Sequence, residues 1–303
     1  MTTFSVVIPT YNRRDYLMAC LDSVQSQRHA VREVIVVDDG SSDGTVEALK
    51  GRAGTIVIQQ KNAGPGAARN TGAAAATGAY VAFLDSDDLW FPWSLATMAQ
   101  LIEKHMRPSL LFARFEDFSG SAPAIVPTEM RAEGRSYSDF LAAAADGAFA
   151  GAGMMVVARE VFAAAGGFSE DGQNAEDHDL ALRLGTARGF VQVTQPVTTA
   201  HRIHGSNQMG DVRRNVKGVQ QLVDVERRGG YPGGRARRAA RRSIIARHAR
   251  AAILSGLRGG ASVEAFSLYG RTFAWQLHEQ RLSFLLAAPV LGVRSMLMAP
   301  HAP

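Results

Sequence analysis

The segment DSDD, residues 85–88, sets three carboxylates within four positions, directly after the apolar run Tyr80-Val81-Ala82-Phe83-Leu84. Two carboxylates ~6 Å apart at an effective dielectric of ~20 repel by roughly 3 kcal/mol, so such a cluster needs either solvent or a cation. At a strand-to-loop transition Asp85 and Asp87 are two apart and face the same side. Oxygen ligands of this kind suit Mg²⁺ or Mn²⁺, which take one or two carboxylates together with phosphate oxygens. A solvated acidic turn, with Asp88 capping the next helix, accounts for the same residues equally well.

Three further clusters carry chemistry-capable side chains. Asp38-Asp39-Gly40 closes the apolar run EVIVV, where a carboxylate can accept from the N–H of a base or from ribose hydroxyls. The SSDGT that follows is turn chemistry, with Ser42 or Asp43 as a helix cap. KNAGPGAARNTG (61–72) matches neither a dinucleotide fingerprint nor a Walker loop. Its Gly64 and Gly66 permit close backbone approach, and Arg69 offers a bidentate grip on a phosphate or a uracil carbonyl. In Glu176-Asp177-His178-Asp179, Asp177 reads either as a general base or as a first-turn acid matched to the helix dipole. His201 and His204, three apart, point to opposite faces of a strand and do not share one ion.

The elements that hold these clusters alternate between two periodicities. Phe4–Ile8, Glu33–Val37, Thr55–Gln59 and Tyr80–Leu84 read as strands. Between them, residues 14–28 place Tyr16, Leu17, Cys20, Leu21 and Val24 on one helical face. Val46–Lys50 and Ala67–Ala76 are the next two helices, and Pro92 opens a helix with Leu95, Met98, Ile102 and Met106 in register. This order predicts an α/β fold with a doubly wound, mostly parallel, Rossmann-like sheet and a ligand at the carboxyl ends of its strands. Every cluster up to Asp88 falls at such an end. Residues 116–150 carry little pattern. Met154–Ala158 reads as a strand, 177–188 as a helix, and Phe190–Val193 and Val197–Ala200 as short strands.

With 303 residues, 46% apolar and 20% charged, the chain can bury one large core and an extension. Its single cysteine excludes an internal disulfide, and no Cys/His pattern has zinc spacing. The N-terminus lacks a signal-peptide layout, so a cytoplasmic location is expected. Charge is split: residues 1–200 hold 16 Lys/Arg and 23 Asp/Glu, whereas residues 201–303 hold 17 and 5, a balance of +12. The expected division is a nucleotide-binding catalytic domain over 1–205 and a basic helical extension over 206–303.

Taken together, the segments VVIPTYNR (6–13), VIVVDDGSSDGT (34–45), NAGPGAARNTG (62–72), GAYVAFLDSDD (78–88), GGF (166–168), AEDHDLALRL (175–184) and RIH (202–204) resemble the family-2 glycosyltransferases of the GT-A fold. The resemblance covers residues 4–205. It implies transfer of a hexosyl group, with inversion, from a nucleotide-sugar donor, a UDP-sugar by expectation, to an acceptor hydroxyl on a glycan or lipid-linked acceptor. By position it places Pro9, Thr10, Tyr11 and Asn12 along the nucleotide pocket, Asp39 on the base with Asp38 in support, and Arg69 near the nucleotide. Asp85 and Asp87 match the DxD pair, Asp85 towards ribose or metal and Asp87 on Mn²⁺ or Mg²⁺. Asp177 matches the catalytic base and His204 a late ligand to metal or diphosphate. The family's frequent aromatic before Arg-x-His is His201 here, which leaves the role of that histidine open. Inverting transfer needs one base on the acceptor side and charge stabilisation on the leaving diphosphate, and these carboxylates offer both.

Two other functions compete. A sugar nucleotidyltransferase shares the sheet and the metal, but PTYNRRD stands where its glycine-rich, basic loop belongs. A non-catalytic nucleotide-sugar-binding module would keep the pocket without turnover. In the tail, Arg235, Arg238 and Arg242 form a helical stripe with Ile245, Ala249 and Ile253 displaced from it, and 282–298 is apolar but too short to span a bilayer. That combination allows peripheral contact with an anionic leaflet, or simply packing of the helices. Few aromatics and no recognised module argue against nucleic acid.

Overall fold

The computed structural model describes residues 2–120, 123, 131–148, 151–171, 174–205 and 211–298. Contacts group the chain into two compact units, one of residues 1–140, 148–172 and 186–204 and the other of 141–147, 173–185 and 205–303. Two segments from within the first 205 residues, 141–147 and 173–185, therefore pack with the C-terminal helices.

In the first unit, β1 (Phe4–Thr10) is buried along its whole length, because the sheet is covered on both faces. It pairs in parallel with β2 (Glu33–Asp38) on one side and β4 (Tyr80–Phe83) on the other, and β2 pairs with β3 (Thr55–Gln59). The connecting helices are α1 (Arg14–Gln25), α2 (Thr45–Leu49) and α3 (Pro65–Ala75). Helix α1 buries Leu17, Cys20, Leu21 and Val24, while Tyr16 is only half-buried. Helix α4 (Ser94–Lys104) follows a two-residue strand, β5 (Leu89–Trp90), and buries Leu95, Met98 and Ile102. Met106, expected on that face, lies past the helix end, exposed and in a left-handed conformation.

Beyond β4 the sheet becomes mixed. Strands β6 (Leu110–Phe112), β7 (Phe115–Phe118), β8 (Glu133–Tyr137), β9 (Met155–Ala158), β10 (Phe190–Gln195) and β11 (Thr199–Arg202) complete the set, with α5 (Arg159–Ala164) after β9. The large sheet runs β3-β2-β1-β4-β9-β6-β10-β8, and β5-β11-β7 form a smaller one. Strands β9 and β8 are antiparallel to their neighbours, and the other pairings of the large sheet are parallel. Strands β7 and β8 occupy the stretch whose sequence showed little pattern; both are short and largely polar.

The second unit contains α6 (Glu176–Arg183), α7 (Val212–Arg228), α8 (Arg238–Arg258), α9 (Ser262–His278) and α10 (Leu282–Met298). Ile245, Ala249 and Ile253 are fully buried on α8, as their displacement from the arginines predicts. The basic stripe does not survive as one solvated face. Arg235 precedes the helix and is exposed, whereas Arg242 lies over the Trp275 ring at 5.0 Å and within 3.6 Å of Glu226 Oε1. Arg241, which the wheel did not single out, is buried with Glu226, its Nε 2.6 Å from Oε2. Two desolvated charges 15 positions apart in sequence are tolerable only because each satisfies the other.

Candidate active site

In the first unit the polar loops at the carboxyl ends of β1 to β4 are tied to one another. Asn12, left-handed at φ 51°, receives the backbone N–H of Ser42 on Oδ1 at 2.8 Å and donates its own N–H to Ser41 Oγ at 2.9 Å. That locks PTYNR to DDGSS. Asp43 takes the turn role read from sequence, accepting from Thr45 N and Arg14 N, but the residue at the α2 N-cap is Gly44. Pro9 and Thr10 are buried at the end of β1, and Tyr11 is exposed beyond them.

The two acids closing β2 are both buried and meet different partners. Asp39 is buried and uses both oxygens within the chain: Gln60 Nε2 and Ala63 N donate to Oδ1, and Gly64 N donates to Oδ2, at 2.8–2.9 Å. It fixes the glycine-rich loop. Asp38 accepts from Ser41 N on Oδ2, yet its Oδ1 is buried without a hydrogen-bond partner, as is Thr10 Oγ1. Thr10 and Asp38 are register partners across β1 and β2. Buried polar atoms left without partners point to a ligand, since such groups are otherwise satisfied.

Arg69, on α3, is buried beneath Phe168 of the GGF motif, with its guanidinium 5.4 Å from the ring centroid, and donates to Asp85 Oδ1 at 2.6 Å. Two glycines make this possible. A Cβ on Gly66 would meet the Ser169 carbonyl at 2.4 Å, and one on Gly153 would meet the Asp85 carboxylate at 2.7 Å.

Asp87 sits in a separate group. Arg13 Nη1 donates to its Oδ2 at 2.9 Å; His204 Nε2 lies 2.9 Å from the same oxygen and 2.7 Å from Arg13 Nη1. His204 is stacked on Tyr16 with ring centroids 4.9 Å apart. Arg202 lies between Tyr16 and Phe118, at 5.0 and 4.5 Å from their ring centroids, and its Nε donates to the Asp87 carbonyl. Asp88 is no helix cap. It is buried and accepts the Arg202 backbone N–H at 2.9 Å, and burial, with Asp85 and Asp87 nearby, pushes its carboxyl above the ordinary range. His201 points elsewhere, with Nδ1 2.8 Å from Asp117 Oδ1, consistent with its separation from His204.

The structure thus brings Asp87 and His204 together and pairs Asp85 with Arg69. Among the described residues no three His, Cys, Asp or Glu side chains converge as a ready metal cage. The donors nevertheless fit a divalent ion: the carboxylate oxygen suits Mn²⁺ or Mg²⁺, the imidazole nitrogen favours the softer Mn²⁺ of the two, and a guanidinium already stands on that oxygen as a cation would. Sequence reasoning missed Arg13, Tyr16 and Arg202. The available signal was the basic pair Arg13-Arg14 in the loop after the first strand, which does not say which of the two turns inward.

In the second unit, Asp177 lies in the first turn of α6, which is capped by Ala175 in a left-handed conformation at φ 92°, so Asp177 is not the cap. Its Oδ1 accepts from His178 N at 2.7 Å and lies 3.2 Å from His178 Nδ1. Asp179 is occupied structurally by Arg183 and the Tyr231 hydroxyl. On α7, a Cβ at Gly218 would overlap the Asn174 carbonyl, so only glycine lets that helix support the start of α6.

His178 stacks on His248 of α8, with ring centroids 3.7 Å apart. Burial lowers His178 from 6.5 to about 4 and holds His248 well below its ordinary value too, so both are neutral when folded at pH 7. Between pH 6.5 and 4 the unfolded chain binds a proton at His178 that the folded chain does not, so stability falls as pH drops through this window. The His178 contribution alone is roughly 3 kcal/mol. Urea unfolding at pH 7 and pH 4.5 is expected to show the loss, and the double variant His178→Phe, His248→Phe is expected to show much less of it.

Comparison with known proteins accords with this geometry. A family profile described as "Glycosyl transferase family 2" matches residues 5–164. An uncharacterized glycosyltransferase of Rickettsia bellii is 41% identical over 104 residues, which make up 33% of this chain and only 15% of that protein; the chain likewise covers 32% of a Nostoc relative. The amylovoran biosynthesis glycosyltransferase AmsB of Erwinia amylovora is 30% identical over 226 residues, 69% of this chain and 73% of AmsB. The crystal structure of S. aureus TarS residues 1–349 in complex with UDP-GlcNAc superposes with a TM-score of 0.69 at 20% identity, over 97% of this chain and 89% of that one. A mannosyltransferase of Pyrobaculum calidifontis in complex with GDP-Man and Mn²⁺ gives a TM-score of 0.52 at 20% identity, over 96% and 86%. Ordered motifs, sheet topology and these matches agree: the chain belongs to glycosyltransferase family 2 and has the GT-A fold.

Proposed function

We propose that the protein transfers a sugar, with inversion, from a nucleoside diphosphate sugar to an acceptor hydroxyl in the synthesis of an envelope polysaccharide or glycolipid. The observation that carries this reading is the buried, partnerless pair Thr10 Oγ1 and Asp38 Oδ1 at the end of β1 and β2, in the same unit as Arg69–Asp85 and Asp87–His204. The polysaccharide assignment rests on the AmsB relative, and the UDP-sugar donor on the ligand of TarS.

In this reading the nucleoside sits along Pro9 to Asn12, with Thr10 donating to it, Asp38 Oδ1 accepting from it, and Asp39, which accepts only one internal hydrogen bond on Oδ2, beside them. Arg69 orients Asp85 towards the ribose. Asp87 and His204 would hold Mn²⁺ or Mg²⁺, and Arg13 would then turn from the Asp87 oxygen to the diphosphate. When bound, the ion supplies Lewis-acid stabilisation of the leaving diphosphate. Asp177 takes the proton of the acceptor hydroxyl as its oxygen bonds to the anomeric carbon. The bond from that carbon to the diphosphate breaks with its electron pair on the departing nucleotide. The acceptor is a glycan or a lipid-linked glycan, reached at the cytoplasmic membrane surface by peripheral contact through the C-terminal helices.

A thermal-shift screen of nucleotides and nucleotide-sugars, with and without Mn²⁺, tests the donor, because a ligand specific to the folded state raises its melting temperature. Release of UDP from the stabilising donor supports transfer; release of pyrophosphate from UTP and a sugar phosphate assigns the protein to nucleotidyl transfer instead. Thr10→Val separates ligand from fold. It removes a buried hydroxyl with no internal partner, so the unliganded protein keeps or slightly gains stability, while nucleotide affinity falls by about tenfold, the value of one hydrogen bond left unmade. Calorimetric titration with UDP reads both effects.

A further inference from the structure

Helix α10 is apolar on both its buried and its exposed sides. Its inner side, Leu285, Ala288 and Gly292, is buried. Gly292 lies so close to Phe266 that a Cβ there would meet the ring at 2.3 Å, and Tyr269 Oη donates to the Leu285 carbonyl at 2.8 Å. The hairpin of α9 and α10 is therefore tightly closed on itself. Among the described residues nothing covers its other side: Leu282, Leu286, Val290 and Val293, at helical spacing, are exposed, Leu286 by 76% and Val290 by 68%. Helix α9 continues the theme with exposed Val263, Phe273 and Leu277. A helix that is hydrophobic all round is normally buried, and an exposed apolar face of this extent marks an interaction surface.

Charge is excluded from this face and gathered at its edges. No charged residue interrupts 282–293. The acid and the base within α9 are paired with residues of α7, Glu264 with Arg213 and Arg271 with Asp224. Arg258, Arg281 and Arg294 are exposed at the ends of α8 and α10. Among the described residues no helix is long and apolar enough to cross a membrane.

We propose that the outer face of the α9–α10 hairpin lies in the interface of an anionic bilayer, parallel to its plane, with the leucines and valines in the acyl boundary and the arginines on lipid phosphates. This inference deepens and depends on the peripheral-membrane part of the function proposed above. It moves the contact from the basic stripe around Arg235 and Arg238 to an uncharged face. Charge decides the occupant: the exposed Arg258, Arg281 and Arg294 beside the face, with no acid in 282–293, complement an anionic leaflet, whereas a second copy on the same face would bring its own arginines against them.

Sedimentation of the full chain with vesicles of phosphatidylcholine, alone or mixed with phosphatidylglycerol, tests this. The wild type is expected to bind the mixed vesicles. Leu286→Asp, Val290→Asp is expected to lower the vesicle partition coefficient roughly tenfold or more, by removing buried apolar area and adding charge repelled by the surface. Arg235→Glu, Arg238→Glu is expected to retain most binding. A cooperative thermal unfolding transition without ligand confirms each variant is folded, and Leu286→Ser, Val290→Ser replaces the aspartate pair if it is not. Unchanged binding by the aspartate pair, with loss in the arginine pair, overturns this face while leaving membrane contact intact. No binding by the wild type overturns both. A wild-type dimer that the aspartate pair makes monomeric, without vesicle binding, assigns the face to a second copy and overturns the proposal. Vesicle binding is read without turnover, so the outcome is independent of the donor chemistry.

Discussion

Asp87→Ala is expected to lower kcat by about a thousandfold or more, the scale of losing a main electrostatic stabiliser of a leaving group. The variant should also lose any extra stabilisation that Mn²⁺ gives to the donor complex. The structure explains why folding should survive the change. Asp87 contacts Arg13 and His204 through its side chain, but its backbone carbonyl, which the substitution keeps, accepts from Arg202 Nε. Tyr16 stacking and the Asp88–Arg202 hydrogen bond also remain. The check is kcat for UDP release at saturating donor, beside thermal unfolding without ligand. Full activity in a folded Asp87→Ala protein would remove the metal from the account.

Asp177→Asn is expected to act on a different quantity. Loss of a general base costs about a hundred- to ten-thousandfold in kcat, with donor affinity little changed. Asn retains an acceptor for the His178 backbone N–H, so the first turn of α6 should persist. The His178 and His248 rings, both neutral when folded, bring no positive charge beside Asp177. Comparison of kcat and UDP affinity in the variant separates loss of the base from loss of the fold. A fall in donor binding equal to the fall in kcat would assign Asp177 a binding or structural role.

The residues that could be read from sequence share one property: their neighbours along the chain determine their place. Strands β1, β2 and β4 announce themselves as unbroken apolar runs because a parallel sheet buries both faces, and the polar clusters at their ends follow from topology. Asp85 and Asp87 stood out for the same reason, and Asp177 by its place in the first turn of a helix. What was not legible depends on contacts remote in sequence. Arg13 reaches Asp87 and His204, 74 and 191 positions away, and nothing around it distinguishes it from Arg14. The different surroundings of Asp38 and Asp39 depend on which carboxylate meets Ala63 and Gly64. Strands β7 and β8 carry polar, half-exposed sequences whose conformation is set by their partners rather than by an apolar alternation. Arg241 looked like any arginine of a basic helix until Glu226 was found beside it.

The most direct test of the central claim is a crystal of the protein grown with Mn²⁺ and UDP, or with the stabilising donor's nucleotide, measured at the manganese absorption edge. The account predicts an anomalous peak within coordination distance of an Asp87 carboxylate oxygen, with Arg13 withdrawn from that oxygen and the uridine against Thr10 and Asp38. A nucleotide bound with no such peak, and Arg13 still seated on Asp87, would contradict it.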